Sequence, residues 1–209
     1  MISERMYSFT HCNSKLSRLN SSVHYGNTKR IDMAVNQAKK EKVSIAKIID
    51  YTNEFLEAID IPAVENPKIT DLIVKEGNYG PKTVMLDYSA IRRVHGLNNE
   101  KHLVWMKFTK DGYLGLVAAS NDCNFDIPPN SRSYNETSNG KEKNRSNLWK
   151  YTTSGILIHQ LGKVWDENFL LVFPLKGIGD AMRHDVECGI GQYLIHKGVP
   201  VLDYYSHTF

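Results

Sequence analysis

Phe169-Leu-Leu-Val-Phe-Pro-Leu-Lys176, Gly177-Ile-Gly-Asp180, an amphipathic stretch to Lys197, then Gly198 and Val199-Pro-Val-Leu-Asp203-Tyr-Tyr-Ser-His207 form the run on which the fold turns. An apolar segment of strand length, a glycine turn ending in a capping aspartate, a helix closed by glycine and a second apolar segment predict a parallel βαβ unit over about residues 168–206. The carboxyl ends of the strands and the amino end of the helix then share an edge, which is where open α/β sheets hold ligands. That edge receives Lys176, the Gly177 and Gly179 amides, Arg183, His184, Asp203, Tyr205 and His207.

Working outward, His102 to Phe108, the turn Thr109-Lys-Asp-Gly112 and Tyr113 to Ala119 predict an antiparallel β-hairpin over about 102–119, with Asp-Gly supplying the turn. Ser44 can cap a helix whose stripe is Ile45, Ile48, Ile49, Thr52, Phe55, Leu56 and Ile59, ending before Pro62. Residues 11–28 read as loop or arm, and the pattern turns helical from Lys29. Residues 83–94 begin like a strand and end like a helix, an ambiguity that periodicity does not resolve. The expected class is mixed α/β (α+β): a central mixed sheet with the hairpin and the parallel unit, and amino-terminal helices packed on it.

The 209 residues, 41% apolar, predict one domain over 1–209 with a basic arm at 1–43 and a polar loop at 121–147 that holds Pro128-Pro129 and six further Asn. No apolar run approaches the ~20 residues of a membrane span, and the first residues lack a signal-peptide core, so a soluble cytoplasmic protein is expected. Cys12, Cys123 and Cys188 are odd in number with no CxxC pair, which argues against a disulfide framework or structural zinc. The net charge of +3 is uneven: residues 1–47 carry nine Lys or Arg against three acids, +6, leaving −3 elsewhere. Lys29, Arg30, Lys39 and Lys40, interleaved with Asn, Ser, His24 and Tyr25, suit a phosphate backbone; the same charges also serve solubility.

The turn Lys176 to Asp180 offers helix-end N–H groups to an anion, so Gly177, Gly179, Arg183 and His184 are phosphate-binding candidates. It is neither a Walker motif nor a complete GxGxxG, and as a bare βα turn it needs no ligand. Arg183 and Glu187, spaced i, i+4, read either as a surface ion pair or as a cation and a metal-directed carboxylate. In an extended last strand Asp203 and His207 lie roughly 13 Å apart, too far to act together. No HxH, HExxH or HxxxH spacing and no GxSxG is present, so histidine metal sites and serine hydrolase chemistry have no positive signal.

The order helix, hairpin, long loop, strand ending in Lys176, helix, strand resembles the αβββαβ core of PD-(D/E)xK nucleases over about residues 44–206. The resemblance implies Mg²⁺ held by carboxylates near a lysine that orients water, with Asp122 after the second hairpin strand and Lys176 ending the third. Pro174 stands where the acid should precede the lysine, so Asp185 or Glu187 would supply the carboxylate. The resulting expectation is a nucleic-acid-directed protein, with Mg²⁺-dependent phosphodiester hydrolysis as its reaction if it is an enzyme. Asp122, Lys176, Glu187 and Asp203 are its catalytic candidates, and Asp122, Asp185 and Glu187 its metal ligands. The alternatives are a non-catalytic binding or inhibitor protein engaging a nucleic acid or protein, and a small-nucleotide binder using Gly177 to Asp180.

Overall fold

The computed structural model describes residues 23–70, 72–76, 84–121 and 164–207. Helix α1 (Val23–Ala38) and helix α2 (Ile45–Ala58) precede the short strands β1 (Lys68–Thr70), β2 (Val74–Glu76) and β3 (Val84–Leu86), and then helix α3 (Tyr88–Val94). Strands β4 (Leu103–Thr109), β5 (Leu114–Ser120) and β6 (Trp165–Pro174), helix α4 (Asp180–His196) and the single turn α5 (Tyr204–His207) follow. The class is mixed α/β. A four-stranded sheet runs β1-β6-β4-β5 with every neighbouring pair antiparallel, and β2 and β3 form a separate ribbon.

The apolar run at 103–108 explains why β4 is central: all seven of its residues are buried, so both of its faces are covered. On one face Val104 and Met106 stand opposite Phe173 and Leu171, and Ile48 and Leu56 of α2 with Val186, Ile190 and Leu194 of α4 pack over them. On the other face Leu103, Trp105, Leu170 and Val172 pack with Ile91 of α3 and with Leu72 and Leu97. Lys107 also points to that second face and is 1% exposed, its Nζ donating to Asp166 O at 3.3 Å. The expected hairpin is present. Gly112 adopts φ +87, which its lack of a Cβ permits, and Tyr113 N–H donates to Thr109 Oγ1 at 3.0 Å to close the turn.

The helix beginning after Ser44 is also as read: the Ser44 side chain accepts from Lys47 N–H, and Ile48, Thr52 and Leu56 are buried. Residues 84–94 do begin as strand and end as helix, with Asp87 as the cap between them. Helix α1 starts at Val23, inside the stretch read as arm. It packs on α5, with Ala34 in a cluster with Leu116, Trp165 and Leu202, so its helicity rests on tertiary contact that local periodicity does not announce.

The last apolar segment departs from the expected βαβ unit. Val201 makes one parallel bridge to Leu114, and Leu202 and Asp203 N–H donate to Leu114 O and Gly115 O. The chain therefore returns parallel to β6 but beside β5, two strands away, and the strand ends there. Asp203 is the reason: its Oδ1 accepts from Ser206 Oγ at 2.8 Å and its carbonyl accepts from Ser206 N–H at 3.1 Å, so it starts a helical turn. The last strand of the expected order of elements is thus reduced to a bridge. Among the described residues no helix is long and apolar enough to cross a membrane.

Candidate functional site: a polar seam along β5

Strand β5 acts as a ruler for a line of polar side chains set by α4 and the carboxyl-terminal tail. Asp203 N–H is fixed to Gly115 O at 2.9 Å, His207 faces the backbone of Val117, and Arg183 Nη1 donates to Asn121 Oδ1. At about 3.3 Å per residue this seam runs roughly 20 Å. Its inner part is Asp203, His207 and Glu187. The Glu187 carboxylate lies between two imidazoles, with Oε2 3.9 Å from His184 Nδ1 and Oε1 4.0 Å from His207 Nε2. Glu187 keeps 16% of its side chain exposed, His184 stands at the rim, and His207 is fully buried.

Environment pulls these groups apart. The Glu187 carboxylate beside His184 raises that imidazole's pKa, with Asp185 adding to the effect and burial and Arg183 opposing it. Burial lowers the His207 pKa, with Glu187 and the Val117 backbone opposing. Asp203 is 2% exposed, and burial pushes its carboxyl well above the usual range, with Glu187 adding to the rise and Ser206 and Arg30 opposing it. A carboxylate flanked by two imidazoles whose pKa values are shifted in opposite directions is an arrangement suited to moving a proton.

The outer part of the seam lies at the amino end of α4. Arg183 is 8% exposed, and its Nη1 lies 3.1 Å from Asp180 Oδ1 and 3.2 Å from His102 Nδ1, besides reaching Asn121. His102 adopts φ +56, a left-handed backbone that histidine tolerates better than most residues, and is pinned by His102 N–H to Asn121 O and Leu175 N–H to His102 O. Gly179 is the helix cap and makes no side-chain bond to the first turn, while Asp180 is the first helical residue and not the cap.

Along the seam lie the candidates Glu187 and Asp203, then Arg183 and His184, and Arg30 of α1, whose charge acts on Asp203. Arg183 pairs with Asn121 and Asp180 and not with Glu187, which corrects the i, i+4 ion-pair reading. Asp203 and His207 belong to one turn, so the 13 Å separation of an extended strand does not hold. Lys176 is exposed and lines a groove of about 450 Å³ with Lys68 and His95. Gly177 and Gly179 are exposed in the turn, Asp185 is half-buried, and Lys29, Lys39 and Lys40 are exposed on and after α1. Asp122 and the loop that follows lie outside the described residues.

Two seam residues, His102 and Asn121, escaped the sequence reading, and His207 was placed on the edge but too far from Asp203; the signal for the turn that joins them is Asp203 itself, a residue type that starts helices. His102 and Asn121 carried none, because only strand pairing brings them to Arg183. Among the described residues no group of three or more His, Cys, Asp or Glu side chains is arranged to hold a metal ion. No protein family model, curated protein or solved structure matches this chain.

Proposed function

We propose that this chain is a nucleic-acid-directed protein whose working site is the β5 seam, where a phosphodiester is held at Arg183 and the first turn of α4 and proton transfer runs through Glu187. The observation that carries this reading is the Glu187 carboxylate between His184 and His207, one helical turn from a buried arginine. Residues four apart on a helix have Cβ atoms about 5–6 Å from each other, so Arg183 and Glu187 leave α4 from the same side, one toward Asn121 and the other toward His207. The exposed Lys29, Lys39 and Lys40 supply sequence-independent attraction for the remaining backbone. A Mg²⁺ ion would draw on Glu187 and Asp185, which the described residues do not complete into a cation site, so the reading assigns no step to a metal.

The test is equilibrium binding of a labelled single-stranded RNA and a duplex DNA across a salt series. Affinity that falls steeply with salt, and falls further in a Lys29→Gln, Lys39→Gln, Lys40→Gln variant, is the expected result. Binding that ignores both salt and these substitutions would end the reading. Tight binding with no turnover of any nucleic acid would leave a binding module in its place.

A further inference from the structure

We propose that the surface where the loop after α1 meets the hairpin tip and the tail turn α5 binds single-stranded nucleic acid, with Tyr113 and Tyr204 as platforms for two bases and the surrounding lysines against the phosphates. This rests on the nucleic-acid reading above and names the form of nucleic acid that the protein takes.

Three parts of the chain are joined there. Tyr113 O–H donates to Lys40 O at 3.1 Å, Lys42 Nζ donates to Asp111 O at 2.6 Å, and Lys40 Nζ stands 5.7 Å from the centre of the Tyr204 ring. Lys39, Lys40, Lys42 and Lys110 are exposed at this junction against the exposed acids Glu41 and Asp111, so the surface is cationic on balance. Such a surface alone attracts duplex and single strand alike.

The aromatic rings decide between them. Tyr113 is half-buried and packs on the cluster of Ala34, Leu116, Trp165 and Leu202, so the core holds its ring in place. Tyr204 is half-buried at the start of α5, and Asp203 before it is fixed by its N–H bond to Gly115 O. Over each ring lies a lysine ammonium, Lys42 over Tyr113 at 5.6 Å and Lys40 over Tyr204. Rings for bases and cations for the backbone are the two components of sequence-tolerant single-strand sites. In a duplex the base faces are covered by their neighbours, and the rings have nothing to stack on.

Magnitudes favour the base over the ammonium. An exposed ammonium on an aromatic face contributes about 2- to 5-fold, whereas a stacked base contributes about 5- to 150-fold in affinity. A base therefore displaces the ammonium, and the flexible four-carbon stem of the lysine carries the charge to a neighbouring phosphate. Lys42 gives up the Asp111 carbonyl in the exchange and gains an anionic acceptor in place of a neutral one. Because Tyr204 directly follows Asp203, a strand held here adjoins the inner end of the seam.

The test measures binding of the full chain to labelled single-stranded RNA and DNA, to the DNA as a duplex, and to an abasic DNA strand that keeps every phosphate, across a salt series. Expected is binding of both single strands at least about 5-fold tighter than of the duplex or the abasic strand at the same salt. Tyr113→Leu and Tyr204→Leu should each lower single-strand affinity by at least about 5-fold with the dependence of log affinity on log salt unchanged, while Tyr113→Phe and Tyr204→Phe retain it. Lys40→Gln and Lys42→Gln should each flatten that dependence by about 0.7. Thermal melting identifies any variant that fails to fold, and the abasic strand tests the same claim on the unaltered protein. A duplex or abasic strand bound as tightly as the single strand, Leu variants that bind like the parent, or single-stranded DNA left unbound while another nucleic acid binds would each overturn the inference and leave the nucleic-acid reading standing. Absence of binding to every nucleic acid would overturn both.

Discussion

The imidazole of His207 occupies the space that a side chain at position 191 would need: a Cβ on Gly191 would collide with its Nδ1 and Cγ. Glycine inside a helix lowers intrinsic helix stability by up to about 1 kcal/mol relative to alanine, yet here it is what lets the tail lie flat on α4. Gly191→Ala is therefore expected to destabilise the protein by about 1–3 kcal/mol despite the better helix propensity, as overpacked sites do. Chemical denaturation of Gly191→Ala, His207→Ala and the double variant provides the check. A double variant no worse than His207→Ala alone would show the coupling; simple additivity would refute the contact.

Asp203 and His207 predict opposite limbs of a pH–stability profile. Burial raises the Asp203 pKa above its unfolded value of 3.8, so its contribution is fully present below that value and is lost as pH rises through the folded pKa. Burial lowers the His207 pKa below its unfolded value of 6.5, so its contribution is present above 6.5 and is lost as pH falls from there through the folded pKa. Asp203→Asn keeps an acceptor for Ser206 Oγ and removes the ionisable proton. Its stability should match the parent in acid and exceed it progressively toward alkaline pH. Parallel curves for the two proteins would contradict a buried, proton-bearing carboxyl.

How much of this was readable in the sequence follows from how local each determinant is. Ser44 and the stripe behind it define α2 within fifteen residues, and Asp111-Gly112 between two apolar runs defines the hairpin, so both are legible. Glu187, Asp203, Arg183 and His184 stand out in the sequence for their chemistry; the structure sets Glu187 against His184 and acts on Asp203 through Glu187, while Arg183 turns to Asn121. The tail was misread because Val199 to Leu202 continues the apolar pattern of a strand, while Asp203 breaks it through bonds to Gly115 and Ser206. His102 and Asn121 reach Arg183 only through the pairing of β4 with β5, a long-range register that no short window encodes.

Glu187 is the largest cause of the raised His184 pKa, a relation that can be read directly. In Glu187→Gln the carboxylate is gone and the amide cannot favour the imidazolium in the same way. The His184 ring resonance should then titrate at lower pH than in the parent, by NMR. An unchanged His184 midpoint would mean that the two side chains do not meet in solution.

Arg183 and Asp180 form an ion pair of unequal halves, and the inequality makes a prediction. Arg183 is buried and also serves Asn121 and His102, whereas Asp180 is largely in water. Removing the carboxylate in Asp180→Asn forfeits a solvent-screened contact, for which about 0–1 kcal/mol is the usual range. Removing the guanidinium in Arg183→Met instead leaves Asn121 Oδ1 without its charged donor, loosening the tie between the end of β5 and the first turn of α4. Hydrogen bonds to charged groups contribute about 1.5–3 kcal/mol, so Arg183→Met should cost at least twice what Asp180→Asn does by thermal or urea unfolding. Hydrogen exchange should show the loss as faster opening at Ser120 and Asn121, with the centre of β4 at Trp105 and Met106 unaffected. Equal costs for the two variants would mean that Arg183 serves chiefly the exposed aspartate, and the seam would lose its anchor.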